Sequence, residues 1–234
     1  MKVAIIPARG GSKRIPRKNV KLFLGKPIIV YSIEAARASG LFDRVIVSTD
    51  DEEIAAVAQE FGAEAPFRRP PELADDHATS IAVFKHGVQW AIDNIGPIEH
   101  ACCIYATAPF VQPRFLKRGF EQLIAADCSY AFSVTTFPFP IQRAIRVNGA
   151  GRVEAIHPEY IFTRSQDLEE AYHDAGQFYW GKASAFLNEE ILFSPVAVPV
   201  ILPRHLVQDI DTLEDWRRAE MLYQVLRMAG EIAE

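Results

Sequence analysis

Short apolar runs alternate with segments of helical period along most of this 234-residue chain, and no other feature narrows its possible folds so far. The runs Val3–Pro7, Arg44–Ser48, Ala101–Tyr105, Tyr130–Thr135, Phe178–Trp180 and Val196–Ile201 read as strands. Between them, Pro27–Ser39, Thr79–Asn94, Arg114–Ala126, Ala183–Asn188 and Thr212–Met228 read as helices. A further helix opens at Thr49-Asp50-Asp51 and runs to Phe61, with Asp50 as its N-cap and a short strand, Ala65–Phe67, after it. Gly40 and Gly62 stand where helices end, a position that favours the left-handed conformation. Thr212 and Asp215 form a variant of the capping box ahead of the closing helix. Strands followed by helices in this order predict an open, mainly parallel, three-layer α/β sheet. Ligands of such sheets bind beyond the C-terminal ends of the strands, near a switch point.

One stretch breaks the alternation. From Phe137 to about Tyr172 the chain is proline-rich, then reads N-G-A-G, then loses strong period. Asn148-Gly149 is a hairpin signal between the runs Arg143–Val147 and Arg152–Ile156. The chain therefore reads as one domain over 1–234 with a hairpin-bearing excursion at about 137–172.

Composition narrows the function. Apolar residues make up 49%, enough for a sizeable core, and the net charge of −5 gives no electrostatic case for nucleic-acid binding. No apolar run approaches the roughly 20 residues of a membrane span. The N-terminus does not read as a signal peptide, because Lys2 leads into a short strand and then into charge. Cys102, Cys103 and Cys128 lack disulfide or zinc spacing and read as buried free thiols, which fits a reducing cytoplasm.

The acidic chain nonetheless carries a basic loop directly after its first strand. A-R-G-G-S-K-R-I-P-R-K-N, ending at Asn19, holds Gly10, Gly11, Ser12 and the cations Arg9, Lys13, Arg14, Arg17 and Lys18. The glycines let backbone N–H groups approach a ligand, and the cations supply charge for an anion. This is a phosphate site by chemistry, although it is neither G-x-x-x-x-G-K-S/T nor G-x-G-x-x-G. Near the other end, Asp209-Ile210-Asp211 places two carboxylates two residues apart in extended backbone, so that both point the same way. Such a pair can share a hard divalent cation, and Mg²⁺ commonly binds through one or two carboxylates plus substrate phosphates.

These residues carry a resemblance. Arg9, Ser12, Lys13, Lys18 and Asn19 match, position by position, the first motif of the CMP–sialic acid synthetases, cytidylyltransferases that activate nine-carbon 2-keto acids. Arg69, Pro70, Leu73, Asp76 and Ser80 are similar to a second motif, Asp209–Asp211 to a Q-D-I-D-T segment, and Arg164, Gln166 and Asp167 to an R-x-Q-D-L segment. The resemblance implies a three-layer, Rossmann-like nucleotidyltransferase fold of the nucleotide-diphospho-sugar transferase type. It implies that the first loop holds CTP, that Ser48–Asp51 borders the nucleotide, and that Arg69 and Ser80 contact it. It implies Mg²⁺ on Asp209 and Asp211, a homodimer paired through the excursion, and catalysis centred on Lys13, Asp209 and Asp211.

The chain departs from the sialic acid pattern where the acceptor sugar lies. Tyr105 stands in place of a glutamine, and Tyr172-His173-Asp174-Ala175-Gly176 replaces an R-P-N-G-A segment. Both departures resemble the pseudaminic acid cytidylyltransferases, a sister group acting on a 5,7-diamino sugar acid. Tyr105, Arg164, Gln166, Asp167, His173 and Asp174 are accordingly expected on the sugar. His173 has a general-base reading, since its ordinary pKa is near neutrality, but a sugar contact is favoured; His77 and His86 read as surface or helix residues. The nearest alternative is the same CMP transfer to N-acetylneuraminic or legionaminic acid; a glycosyltransferase, farther off, would carry its D-x-D mid-chain rather than directly before the last helix. Intact Lys13, Asp209 and Asp211 argue against a non-catalytic nucleotide-binding protein.

Overall fold

The structure, a computed structural model, describes residues 1–75 and 78–232. Asp76 and His77, both named above, lie outside the described residues. The chain opens with β1 (Lys2–Pro7), a small antiparallel pair β2 (Leu22–Phe23) and β3 (Lys26–Pro27), and α1 (Ile28–Ser39). It continues through β4 (Arg44–Ser48), α2 (Glu52–Glu60), α3 (Ser80–Asn94), β5 (His100–Ile104), α4 (Pro113–Ala126) and β6 (Tyr130–Thr136). The excursion carries β7 (Ile145–Val147) and β8 (Val153–Ala155), before β9 (Tyr172–Lys182), α5 (Ala183–Leu187), β10 (Ala197–Ile201) and α6 (Leu213–Met228).

Six strands form the main sheet in the order β10-β6-β9-β5-β1-β4, and β7-β8 is a separate two-stranded sheet. β1 pairs in parallel with both β4 and β5, whereas β9 runs antiparallel to β5 and β6. Alternation along β1 builds both core layers. Val3 and Ile5 pack with Phe84 and Val88 of α3 and Phe186 of α5. Ala4 and Ile6 pack in the layer of Ile29 and Ile33 from α1 and Trp216 from α6. Ile54 and Ala58 of α2 share the α1 layer, whereas α3 covers the opposite face. The chain steps from β1 out to β4 and then back across β1 to β5, so the C-terminal end of β1 is the switch point.

Local signals set most element ends. Gly40 closes α1 at φ 65. Thr79 caps α3, and Thr212 with Asp215 forms a complete capping box on α6. Three local expectations are corrected. Asp51, not Asp50, caps α2, accepting the Ile54 N–H at 3.0 Å. Ala65–Phe67 is not a strand, and only isolated bridges form at Glu64 and Arg68; Pro66 in its middle has no N–H to pair. The hairpin turn is longer than Asn148-Gly149, because Val147 pairs with Val153 and the left-handed residue is Gly151, at φ 73. The Asn148 side chain organises this turn by accepting from the Ala150 and Arg152 N–H groups. Cys102 and Cys103 are buried free thiols, whereas Cys128 is only half-buried. No helix among the described residues is long and apolar enough to cross a membrane.

Candidate active site

The loop after β1 is fastened from behind by the start of α2. The Ala8 N–H donates to the Ser48 carbonyl at 2.9 Å, tying the ends of β1 and β4 together. Asp50, one residue outside the helix cap, accepts the Gly10 N–H at 2.9 Å. A Cβ on Gly10 would lie 2.7 Å from Asp51 Oδ2, so no larger residue fits here unless the carboxylate moves. Arg17, at φ 55, turns its guanidinium to the same carboxylate, with contacts of 2.5 and 2.9 Å, and also reaches Glu53. The Arg17 hydrogen bond holds the Asp51 carboxyl down at about 2, and Asp51 in turn raises the Arg17 pKa. In this structure the Gly10 N–H, expected to cradle a ligand, donates to Asp50, and Arg17, counted among the loop cations, faces Asp51 and Glu53. Gly11 has open space where a side chain would stand, and neither glycine lines the cavity.

A cavity of about 340 Å³ opens at the ends of β1, β4 and β5. The loop contributes Arg9, Ser12, Lys13, Arg14, Lys18 and Asn19. Arg69, Asp75 and Ser80 come from the segment entering α3, Tyr105 follows β5, and Asp211 precedes α6. The wall is well supported. Buried Asn19 donates to the Arg9 carbonyl at 2.9 Å, and Arg9 donates to the Asp75 carbonyl at 3.0 Å. Arg69 is buried and donates to Ser48 through both its hydroxyl, at 3.1 Å, and its carbonyl. Burial lowers the Arg69 pKa to about 10, so it stays cationic at neutral pH. Lys18 is lowered by burial too, against the pull of Asp211 and Asp209.

Asp211 stands 36% exposed at this wall, 2.6 Å from Arg14 Nη1 and 3.8 Å from Lys18 Nζ. Its backbone N–H donates to Asp215 at 3.1 Å, so the capping box of α6 also places the carboxylate. Asp209 is exposed and off the cavity wall, yet it acts on Lys18 as Asp211 does. The two carboxylates therefore share one electrostatic neighbourhood. Among the described residues no group of three or more His, Cys, Asp or Glu is placed to hold a metal ion. Asp211 at the wall and Asp209 off it are the oxygen ligands this region offers, and Mg²⁺ commonly binds through one or two carboxylates plus substrate phosphates.

The expected sugar residues divide. Tyr105 lines the cavity. Arg164, Gln166 and Asp167 sit on an exposed 3-10 turn of the excursion, away from the cavity, with Arg164 Nε paired to Asp167 at 2.7 Å. His173 is half-buried, its ring 4.9 Å from that of Phe137 and its Nδ1 2.8 Å from the Asp174 carbonyl oxygen. Asp174 accepts from the Gly176 N–H at 2.8 Å and from the Tyr179 hydroxyl at 2.6 Å. Neither lines the cavity. Sequence reasoning missed Arg14 as a wall residue, although it had counted among the loop cations. It also missed Asp75, Ala78 and Val83, which carry no motif of their own and reach the cavity only through the fold.

A nucleotide-sized basic cavity at the switch point of an α/β sheet defines a nucleotide-binding enzyme fold. The sequence profile of the cytidylyltransferase family matches residues 3–194, and the chain belongs to that family. It is 48% identical, over 95% of its length and 96% of the relative's, to the pseudaminic acid cytidylyltransferase of Campylobacter jejuni subsp. jejuni serotype O:2. It is 30% identical to the N-acylneuraminate cytidylyltransferase of Escherichia coli O18:K1:H7, over 95% of this chain and 52% of that one. Among solved structures it resembles a CMP:2-keto-3-deoxy-manno-octonic acid synthetase complexed with CTP, at TM-score 0.69 and 18% identity over 99% of both chains. That likeness shows the fold, and the Rossmann-like nucleotidyltransferase sheet expected from the sequence is the one present.

Proposed function

We propose that this enzyme transfers CMP from CTP to the 2-hydroxyl of pseudaminic acid. The observation that carries the sugar is the 48% identity to a pseudaminic acid cytidylyltransferase over nearly the whole of both chains, against 30% to a neuraminate enzyme. The sugar 2-oxygen attacks the α-phosphorus in line, the bond to the bridging oxygen of the β-phosphate breaks, and pyrophosphate leaves. The hydroxyl proton passes to water. Such a reaction is accelerated mainly by positioning and by neutralising charge. Lys13, Arg9 and Lys18 neutralise the phosphates, with Arg14 at the rim beside Asp211. Ser12 and Asn19 hold the loop around them, and Ser80 and Arg69 flank the nucleoside. Asp211 and Asp209 would hold Mg²⁺, which supplies further neutralisation of phosphate charge and polarises the attacking hydroxyl.

The active form is a homodimer built through the excursion. Phe162 is 98% exposed and Phe139 80%, and Val147 and Val153, paired across the hairpin, are exposed too. In such a dimer Arg164, Gln166 and Asp167 serve the partner's sugar site instead of their own. A cytosolic setting agrees with the three free thiols. Pyrophosphate release from CTP and magnesium, measured with pseudaminic, N-acetylneuraminic and legionaminic acids, tests the reading. Pseudaminic acid is expected to be preferred by about two orders of magnitude or more. Comparable efficiency on N-acetylneuraminic acid overturns the sugar assignment.

A further inference from the structure

Asp174 stands in a part of β9 that is not a regular strand. Phe132 pairs with Tyr179 and Val134 with Asp174, so one residue of β6 faces a four-residue bulge of β9. The single facing residue is Ser133, whose buried hydroxyl accepts the N–H groups of Gln177 and Phe178 at 3.3 and 3.1 Å. Gly176 supplies the left-handed residue, at φ 62, and Asp174 Oδ1 accepts its N–H. The bulge brings Asp174 Oδ2 to 2.6 Å from the Tyr179 hydroxyl, five positions along the chain. Tyr179 is buried, and its ring lies 5.2 Å from that of Tyr105. Tyr105 reaches the cavity, with its hydroxyl 3.5 Å from Ser80 Oγ.

The chemistry of this chain of contacts is directional. The Tyr179 hydroxyl has one proton, and it donates that hydrogen bond to Asp174 Oδ2. The Tyr179 ring, so held, packs at a tilt against that of Tyr105, whose own hydroxyl donates towards Ser80. Burial, with Tyr105 and Asp174 close by, holds Tyr179 protonated far above the usual phenol range. Anchored at its hydroxyl by Asp174, the Tyr179 ring is a fixed wall for Tyr105.

We propose that Asp174 and Tyr179 are positioning residues that fix the Tyr105 phenol at the acceptor end of the cavity, so that Tyr105 reads the sugar and Asp174 acts only through it. The proposal rests on the sugar-acid reading above and changes one part of it: Asp174 itself does not touch the sugar. The two departures from the sialic acid pattern, Tyr105 and the D-A-G step, then form one device, because the bulge carries the carboxylate to Tyr179.

The test is a double-mutant cycle on the full-length enzyme. Asp174→Asn and Tyr179→Phe are each expected to raise the sugar KM about fivefold to tenfold, with CTP affinity by calorimetry within about twofold of wild type. In a Tyr105→Phe background, Asp174→Asn should cost no more than a further factor of about two. An equal cost in both backgrounds shows that Asp174 does not act through Tyr105 and overturns the proposal, as does a parallel loss of CTP binding. A second readout needs no sugar. In protein labelled with 3-fluorotyrosine, the Tyr105 ¹⁹F resonance, assigned by Tyr105→Phe, should shift in both Asp174→Asn and Tyr179→Phe. An unmoved resonance overturns the proposal even where the sugar reading holds; failure of wild type to use pseudaminic acid while the resonance moves overturns the sugar reading alone.

Discussion

The Arg9–Asn19 loop and the 137–171 excursion both leave the main sheet at strand ends, and they differ in where their side chains find partners. The loop is satisfied within its own chain. Asp50 takes the Gly10 N–H, Asp51 takes Arg17, and Asn19 holds the Arg9 carbonyl. The excursion satisfies its polar groups in the same way, as Arg164–Asp167 and Asn148–Glu154 do, but leaves Phe139, Ile145, Val147, Val153 and Phe162 facing solvent. A region built to receive a small anion is finished before the ligand arrives. The exposed apolar residues of the excursion are the ones that the proposed dimer would cover.

The largest test of the contrast falls on the loop's opposite wall. Asp211→Ala is expected to lower kcat by about 10²–10³-fold, while far-ultraviolet circular dichroism and melting stay near wild type. Turnover close to wild type at saturating magnesium would remove the carboxylate's role. Asp209→Ala, exposed and off the wall, should cost less and recover in part at high magnesium.

On the excursion the expectation is inverted: assembly changes while the protomer does not. Val153→Glu combined with Phe162→Ser should convert a species of twice 26.2 kDa into one of 26.2 kDa by light scattering. Protomer stability should move by no more than about 0.5 kcal/mol per substitution, because these side chains are exposed. A wild type that already scatters as a monomer breaks the dimer proposal.

Within the loop, the two glycines separate packing from freedom. Gly10→Ala pushes a methyl against Asp51 and should destabilise by about 1–2 kcal/mol and weaken CTP binding. Gly11→Ala meets nothing within 4 Å and should leave stability within about 0.5 kcal/mol. Equal effects in urea unfolding would contradict the fastening by Asp50 and Asp51.

The smallest effect is a pH dependence. The Asp51 carboxyl falls from its ordinary 3.8 to about 2 in the folded protein, chiefly through Arg17. Its contribution is therefore complete above about pH 4 and is lost as pH falls through about 2. Half-exposed Arg17 limits the gain to about 1 kcal/mol. Arg17→Met should flatten the urea midpoint between pH 4 and 2; an unchanged slope would show that the pair adds nothing.

Much of this was legible in the sequence because it is local. The strands, the Gly40 stop and the Thr212–Asp215 box follow from neighbours a few residues apart. What was not legible depends on contacts across the chain. Arg17 looks like any loop cation until the fold brings Asp51, 34 residues on, against it. Asp50 and Asp51 differ by one position, yet Asp51 caps α2 and takes Arg17 while Asp50 takes the Gly10 N–H, a division that only the folded chain shows. Asp174 was found as a departure from a motif, but its partner Tyr179 became visible only through a bulge that no periodicity announces. Of the expected site, Arg9, Ser12, Lys13, Lys18, Asn19, Arg69, Ser80, Tyr105 and Asp211 meet at one cavity, while the excursion residues do not.

The account's central claim is that this cavity is a cytidine triphosphate site, and calorimetry with CTP, UTP and GTP at equal magnesium tests it most directly. CTP is expected to bind at least about tenfold more tightly than either competitor, a difference of about 1.4 kcal/mol. Equal affinity for all three would mean that the basic loop reads phosphate alone, and would contradict the claim.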